Sequence, residues 1–155
     1  MSASAQRVQH ALQAAGIKAH IKELPQSTRT AVDTAQAVGC EVRQIAKSLI
    51  FKTRHSDQPV LVITSGANRV NEKAVGDLLG EEIEVADADF VRQETGFAIG
   101  GVAPVGLVQE MPTYIDEDLL QGDTIWAAAG TPYTLFQVTP EELLQITPGK
   151  VISVR

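Results

Sequence analysis

Lys47 interrupts an otherwise apolar, alternating run, Ile45-Ala46-Lys47-Ser48-Leu49-Ile50-Phe51-Lys52-Thr53. A period of two puts Lys47, Leu49 and Phe51 on one face, and Ala46, Ser48 and Ile50 on the other. A lysine on a greasy face either snorkels out at the strand end or lines a cleft. In a cleft, its ammonium would polarise a carbonyl or hold a phosphate. The second stretch with chemical potential is Gly96-Phe97-Ala98-Ile99-Gly100-Gly101-Val102-Ala103-Pro104-Val105-Gly106. Its glycines make it a poor helix and a poor central strand. Pro104 fixes its own φ and biases Ala103 toward an extended shape. Such a loop can aim N–H groups at an oxyanion or carbonyl. The same composition also suits a buried crossover between strands.

Other chemistries fit less well. Gly101 and Gly106 have the glycine spacing of a phosphate loop, but Leu107-Val108 stand where Lys-Ser/Thr is required, and there is no Gly-x-Gly-x-x-Gly fingerprint. Cys40 has no histidine near it in sequence, which favours a small buried thiol over a nucleophile. His10, His20 and His55 are scattered without metal-ligand spacing. Asp116-Glu117-Asp118 reads as a helix cap, because adjacent positions on a turn point in different directions. Neither a metal nor a cofactor is expected.

The chain has 155 residues, of which 44% are apolar, consistent with one domain spanning 1–155 with a real core. No apolar run approaches the roughly 20 residues of a membrane span. The N-terminus lacks the pattern of a signal peptide, and with a single cysteine a cytoplasmic location is expected. The net charge of −6 argues against general coating of nucleic acid. The charge is uneven. Residues 43–73 hold six basic and two acidic side chains, leaving seven basic and seventeen acidic elsewhere. One basic segment on an acidic body fits local contact with a phosphate-bearing ligand, or simply a solvated face.

The elements that must position these residues follow from pattern. Val8, Ala11, Leu12 and Ala15 predict a first helix, and Ala19 to Leu24 a half-buried strand. Thr30 caps a short helix with Val32, Ala35 and Val38 inward. Ile45 to Thr53 and Pro59 to Thr64 form a hairpin, the second strand nearly all apolar and therefore central. Asn71 caps a helix with Ala74, Val75 and Leu78 inward. Short strands are expected at Ile83, Thr113, Thr124, Leu135 and Val151, with helices capped by Asp87 or Asp89 and by Thr139. The sum is an α+β fold: a mixed, largely antiparallel sheet or partly closed barrel of about six to seven strands, with short helices packed outside.

Four stretches together resemble the YbaK/EbsC-type aminoacyl-tRNA deacylases, relatives of the editing domain of prolyl-tRNA synthetases. They are Gln44 to Lys52, Gly100 to Gly106, Trp126 to Tyr133 and Thr139 to Leu143. The resemblance implies a freestanding enzyme that hydrolyses the ester of a mischarged tRNA, of the Cys- or Ala-tRNA(Pro) type. It places Lys47 in the substrate pocket and the Gly100 to Pro104 loop beside the aminoacyl group. Catalytic roles are thus expected for Lys47, Gly100 and Gly101. Ser48, Phe51, Ile99, Val102, Pro104, Gly130 and Tyr133 are expected to touch substrate. Family members often carry a histidine where this chain has Tyr133, so the side chain accommodated there is open to change. The expected partners are aminoacyl-tRNA and a prolyl-tRNA synthetase. A non-catalytic tRNA- or nucleotide-binding module, and a hydrolase of another activated ester, are the alternatives the residues leave open.

Overall fold

The computed structural model describes residues 1–27 and 30–155. The chain begins with helix α1 (Ala3–Ala14), whose Ser2 cap accepts a hydrogen bond from the Ala5 N–H at 3.1 Å. The short strand β1 (Ile21–Glu23) follows, then helix α2 (Ala31–Val38). Strands β2 (Ile45–Thr53) and β3 (Pro59–Ser65) form the expected antiparallel hairpin. Helix α3 (Glu72–Leu79), strand β4 (Ile83–Val85) and helix α4 (Ala88–Thr95) lead into the glycine-rich loop. The chain closes with β5 (Thr113–Asp116), β6 (Ile125–Ala128), β7 (Thr134–Val138), α5 (Pro140–Ile146) and β8 (Lys150–Ile152).

The eight strands of the described residues join one mixed sheet, in the order β1-β7-β6-β2-β3-β5-β8, with β4 branching off β2. Seven strands make up the main path, and its ends, β1 and β8, do not meet, so the sheet is open. Strand β3 is buried along its whole length because both of its faces are covered. Leu61 and Ile63 enter the larger core with Val8 and Leu12 of α1, while Val60 and Val62 enter a second cluster with Val75 of α3. Complete burial of such side chains contributes about 1.5–3 kcal/mol each. An unbroken apolar run is what a strand sandwiched on both faces requires.

Sequence periodicity misjudged one residue on each of two helices. Helix α2 buries Ala31, Thr34 and Ala35, while Val32 is 51% exposed. On α3 Leu78 likewise points outward and Leu79 packs inward instead. Asp116 is buried and accepts hydrogen bonds from the Thr64 hydroxyl, the Ser65 N–H and the Asn68 amide, besides capping the turn at Asp118 N. That carboxylate ties the turn after β3 to the end of β5.

Candidate active site

Strand β2 is paired unevenly. One edge runs along β3 from Ala46 to Lys52. The other edge meets β6 only at Ile45 and Ala46, and β4 only from Phe51 to Thr53. Among the described residues, therefore, no strand lies beside 47–50 on that edge. Backbone groups alternate in direction along a strand. On the open edge, the Ile50 carbonyl accepts from Ala86 N–H at 3.3 Å. On the β3 edge, the Ile45 carbonyl accepts from Gly66 N–H at 2.7 Å. Ser48, two residues before Ile50, consequently turns its N–H and C=O toward the opening.

The opening is a cavity of about 230 Å³. Its walls include Lys47, Ser48, Leu49 and Phe51 of β2, Val85 at the end of β4 with the following Ala86, and Ile99, Gly100 and Val102 of the glycine loop. Trp126, Ala128 and Leu135 of β6 and β7 line it as well, with Thr30, Ala31 and Thr34 at the start of α2. The exposed Lys47 ammonium has no acidic side chain in ion-pair contact among the described residues, whereas Arg43, Lys52 and Arg54 from the same basic segment do. The Ser48 hydroxyl is buried and has no hydrogen-bond partner among the described residues. A buried polar atom left this way is uncommon and marks a place where a ligand group or water belongs.

The glycine loop is held from outside the cavity. Arg7 of α1 donates from Nε to the Gly106 carbonyl at 2.7 Å and from Nη2 to the Thr95 carbonyl at 3.3 Å. Its guanidinium also lies 4.3 Å from the centre of the Phe97 ring. Within the loop, Gly101 N–H donates to the Ala98 carbonyl at 3.0 Å, so that donor is already engaged. Gly100 adopts φ +86°, and a Cβ there would meet nothing within 4 Å. It is glycine for its backbone shape, at the wall of the cavity.

The structure gathers Lys47, Ser48, Phe51, Ile99, Gly100 and Val102 around one space. Gly101, Pro104, Gly130 and Tyr133 do not line it. A Cβ on Gly101 would lie 2.8 Å from the Thr131 backbone, and one on Gly130 would lie 2.8 Å from the Ser4 carbonyl. Behind the wall, Gly101 lets the glycine loop press against the Thr131 turn, and Gly130 lets that turn press against α1. Pro104 is buried, and its carbonyl accepts from the Thr147 hydroxyl at 3.5 Å. Tyr133 is 50% exposed on the turn before β7, where its carbonyl accepts from Leu24 N–H. Trp126, Ala128 and Leu135 are lining residues that pattern alone did not single out. Their signal is parity along β6, whose pairing with β2 cannot be read locally, and along β7, which pairs with β6.

Cys40 lies apart, half-buried against α2, its Sγ 3.4 Å from the Glu41 carbonyl. Burial, and then the Glu41 charge, push its thiol above the ordinary range. A thiol so placed is a poor nucleophile. The described residues contain no helix long and apolar enough to cross a membrane.

Comparison with known proteins bears directly on this geometry. The family described as aminoacyl-tRNA editing domain matches residues 25–146. The crystal structure of a candidate trans-editing enzyme for prolyl tRNA synthetase superposes with a TM-score of 0.93 at 47% identity, covering 100% of this chain and 98% of that one. YwhH of Bacillus subtilis (strain 168) is 30% identical over 131 residues, 84% of this chain and 83% of YwhH. A candidate Cys-tRNA(Pro)/Cys-tRNA(Cys) deacylase, EbsC of Enterococcus faecalis (strain ATCC 700802 / V583), is 25% identical over 81% of this chain and 76% of its own length. The sheet, the cavity and these matches agree: the chain belongs to the aminoacyl-tRNA editing domain family, enzymes that deacylate aminoacyl-tRNA.

Proposed function

We propose that this enzyme removes a small, wrongly attached amino acid from tRNA(Pro), acting in trans to a prolyl-tRNA synthetase. The observation that carries the proposal is the interrupted edge of β2. There an unpaired backbone stretch, a free ammonium and an orphan hydroxyl face a glycine wall across a cavity of about 230 Å³. Pockets for drug-sized ligands run from about 300 Å³ upward, so this space suits an aminoacyl group of few atoms. Cysteine and alanine are both of that size, and the EbsC relative favours cysteinyl-tRNA(Pro) between them.

The chemistry asks little of the protein. An aminoacyl ester is already activated, and its hydrolysis needs orientation and stabilisation of a developing oxyanion. Water, or a group of the substrate itself such as a thiol, attacks the carbonyl carbon. The ribose oxygen then leaves and takes up a proton. Lys47 holds the ester end by charge, and the N–H groups of Ser48 and Gly100 supply the oxyanion donors. Each such donor is worth roughly 3 kcal/mol of barrier. The Ser48 hydroxyl reads the aminoacyl side chain or carries the attacking water. Phe51, Ile99 and Val102 set the size of the pocket, where each methylene discriminates by only about 1–3 kcal/mol.

The test is a panel of mischarged tRNAs incubated with pure protein, with Lys47→Ala as control. Release of cysteine or alanine from tRNA(Pro), absent in the control, is the expected result. Tight tRNA binding with no release would overturn it.

A further inference from the structure

Four residues from four neighbouring strands lead out of the cavity: Lys47, Ala128 and Leu135 line it, and Lys22 lies beyond its edge. Ala46 and Ala127 are the last paired residues of β2 and β6, so Lys47 and Ala128, one step further along each strand, face each other across the start of the gap. Ala128 pairs with Leu135, and Leu135 pairs with Lys22 of β1. Paired residues share a face. Lys47 and Lys22 therefore stand on the same side of the sheet, with Ala128 and Leu135 between them. Three strands' width, and so at least about 14 Å, separates them. Lys22 is exposed, and its ammonium lies 5.8 Å from the centre of the Trp126 ring, which itself lines the cavity. Like Lys47, it has no acidic side chain in ion-pair contact among the described residues.

In a chain of net charge −6, two cations without acidic partners among the described residues flank the apolar surface of Ala128 and Leu135. Cations beside an aromatic ring are also how proteins hold single-stranded nucleic acid without reading its sequence. We propose that Lys22, steadied over Trp126, binds a backbone phosphate upstream of the esterified nucleotide, so that the unpaired 3′ end of the tRNA lies across the sheet from Lys22 to Lys47. This rests on the proposed deacylase function. It adds a positioning residue outside the reacting atoms and predicts a path for the strand. The charge of Lys22 acts on affinity for the tRNA, not on the ester chemistry.

The experiment compares wild type, Lys22→Ala, Lys22→Glu and Lys22→Arg on two substrates carrying the same amino acid: acylated tRNA(Pro) and 3′-O-aminoacyl-adenosine, which lacks that phosphate. With tRNA, KM is expected to rise about fivefold in Lys22→Ala and about tenfold or more in Lys22→Glu at low salt, with kcat held and Lys22→Arg close to wild type. The slope of log kcat/KM against log salt should flatten by about 0.7, the loss of one single-strand phosphate contact. With the adenosine ester, all four proteins should perform alike. Wild-type KM for tRNA in Lys22→Glu overturns the phosphate anchor. So does an equal loss on both substrates, which would mean a structural or chemical role. If wild-type protein releases amino acid from neither substrate, the deacylase reading fails and the anchor falls with it.

Discussion

Arg7 and Phe97 form a stacked pair at 4.3 Å that fastens α1 to the glycine loop. The same guanidinium holds the Gly106 and Thr95 carbonyls at the two ends of that loop, and Phe97 itself is buried. A single side chain thus sets where the Gly100 wall stands. Arg7→Ala is expected to destabilise the fold by about 2 kcal/mol, from one cation–π contact and two charged hydrogen bonds, and to reduce kcat beyond the loss of folded protein. Arg7→Lys cannot reproduce the fork and should recover little. Denaturant titration and deacylation at a temperature where both variants are folded check this.

Lys47→Ala is expected to lower deacylation by roughly a hundredfold while leaving the melting temperature nearly unchanged, because the exposed ammonium makes no ion pair among the described residues. Single-turnover rates and thermal melts decide the matter. A wild-type rate in this variant would refute the assignment.

Ser48→Ala separates substrate reading from stability. A buried hydroxyl without a partner carries an unrecovered desolvation cost, so its removal should be neutral or slightly stabilising. Activity should nonetheless fall, or the preference between cysteinyl- and alanyl-tRNA(Pro) should change. Equal kcat/KM ratios for the two substrates in variant and wild type would remove Ser48 from substrate recognition.

Gly101→Val should abolish activity by displacing a loop, without entering the cavity. Its new side chain would begin 2.8 Å from the Thr131 backbone, and overpacking of this kind typically costs about 1–3 kcal/mol. Gly101→Ala, a smaller intrusion, should lose stability in the same direction. If both variants melt like wild type, the two loops are not in the contact described.

Glu81 offers a pH prediction. The Ser56 hydroxyl is the largest cause holding its carboxyl below the ordinary value of 4.5, with the Ser56 and His55 N–H groups assisting. A depressed folded value means that the carboxylate stabilises the fold above 4.5 and that this contribution is lost as pH falls through and below that value. Glu81→Gln should therefore show a flatter decline of melting temperature on the acid side, and little change in deacylation at neutral pH. Melts across the acid range test the sign.

Much of this was written in local pattern. The Ile45 to Thr53 alternation and the unbroken apolar run after Pro59 locate the two central strands, and Thr30, Asn71 and Thr139 announce three helix starts by capping chemistry that acts within four residues. Lys47 stood out because a charge on a greasy face needs a reason. What pattern could not give was the break in pairing along β2, since it depends on where strands from residues 83 and 125 happen to stop. The path from Lys22 to Lys47 is hidden for the same reason: it crosses four strands drawn from three separate regions of the chain. On α2 the larger Val32 suggested the inward face, yet small Ala31 and Thr34 occupy it, because there the helix start forms part of a cavity and has no room for bulk.

The interrupted edge of β2 has a bearing on solubility. Unsatisfied strand backbone normally invites another chain to add itself and begin an aggregate. Here the vacancy is four residues long and is bracketed by β4 and β6. An invading strand would have to dislodge one of them before gaining more than a bond or two. The fold can thus keep raw peptide valence open for chemistry in mid-sheet while denying it to its neighbours in a crowded cell.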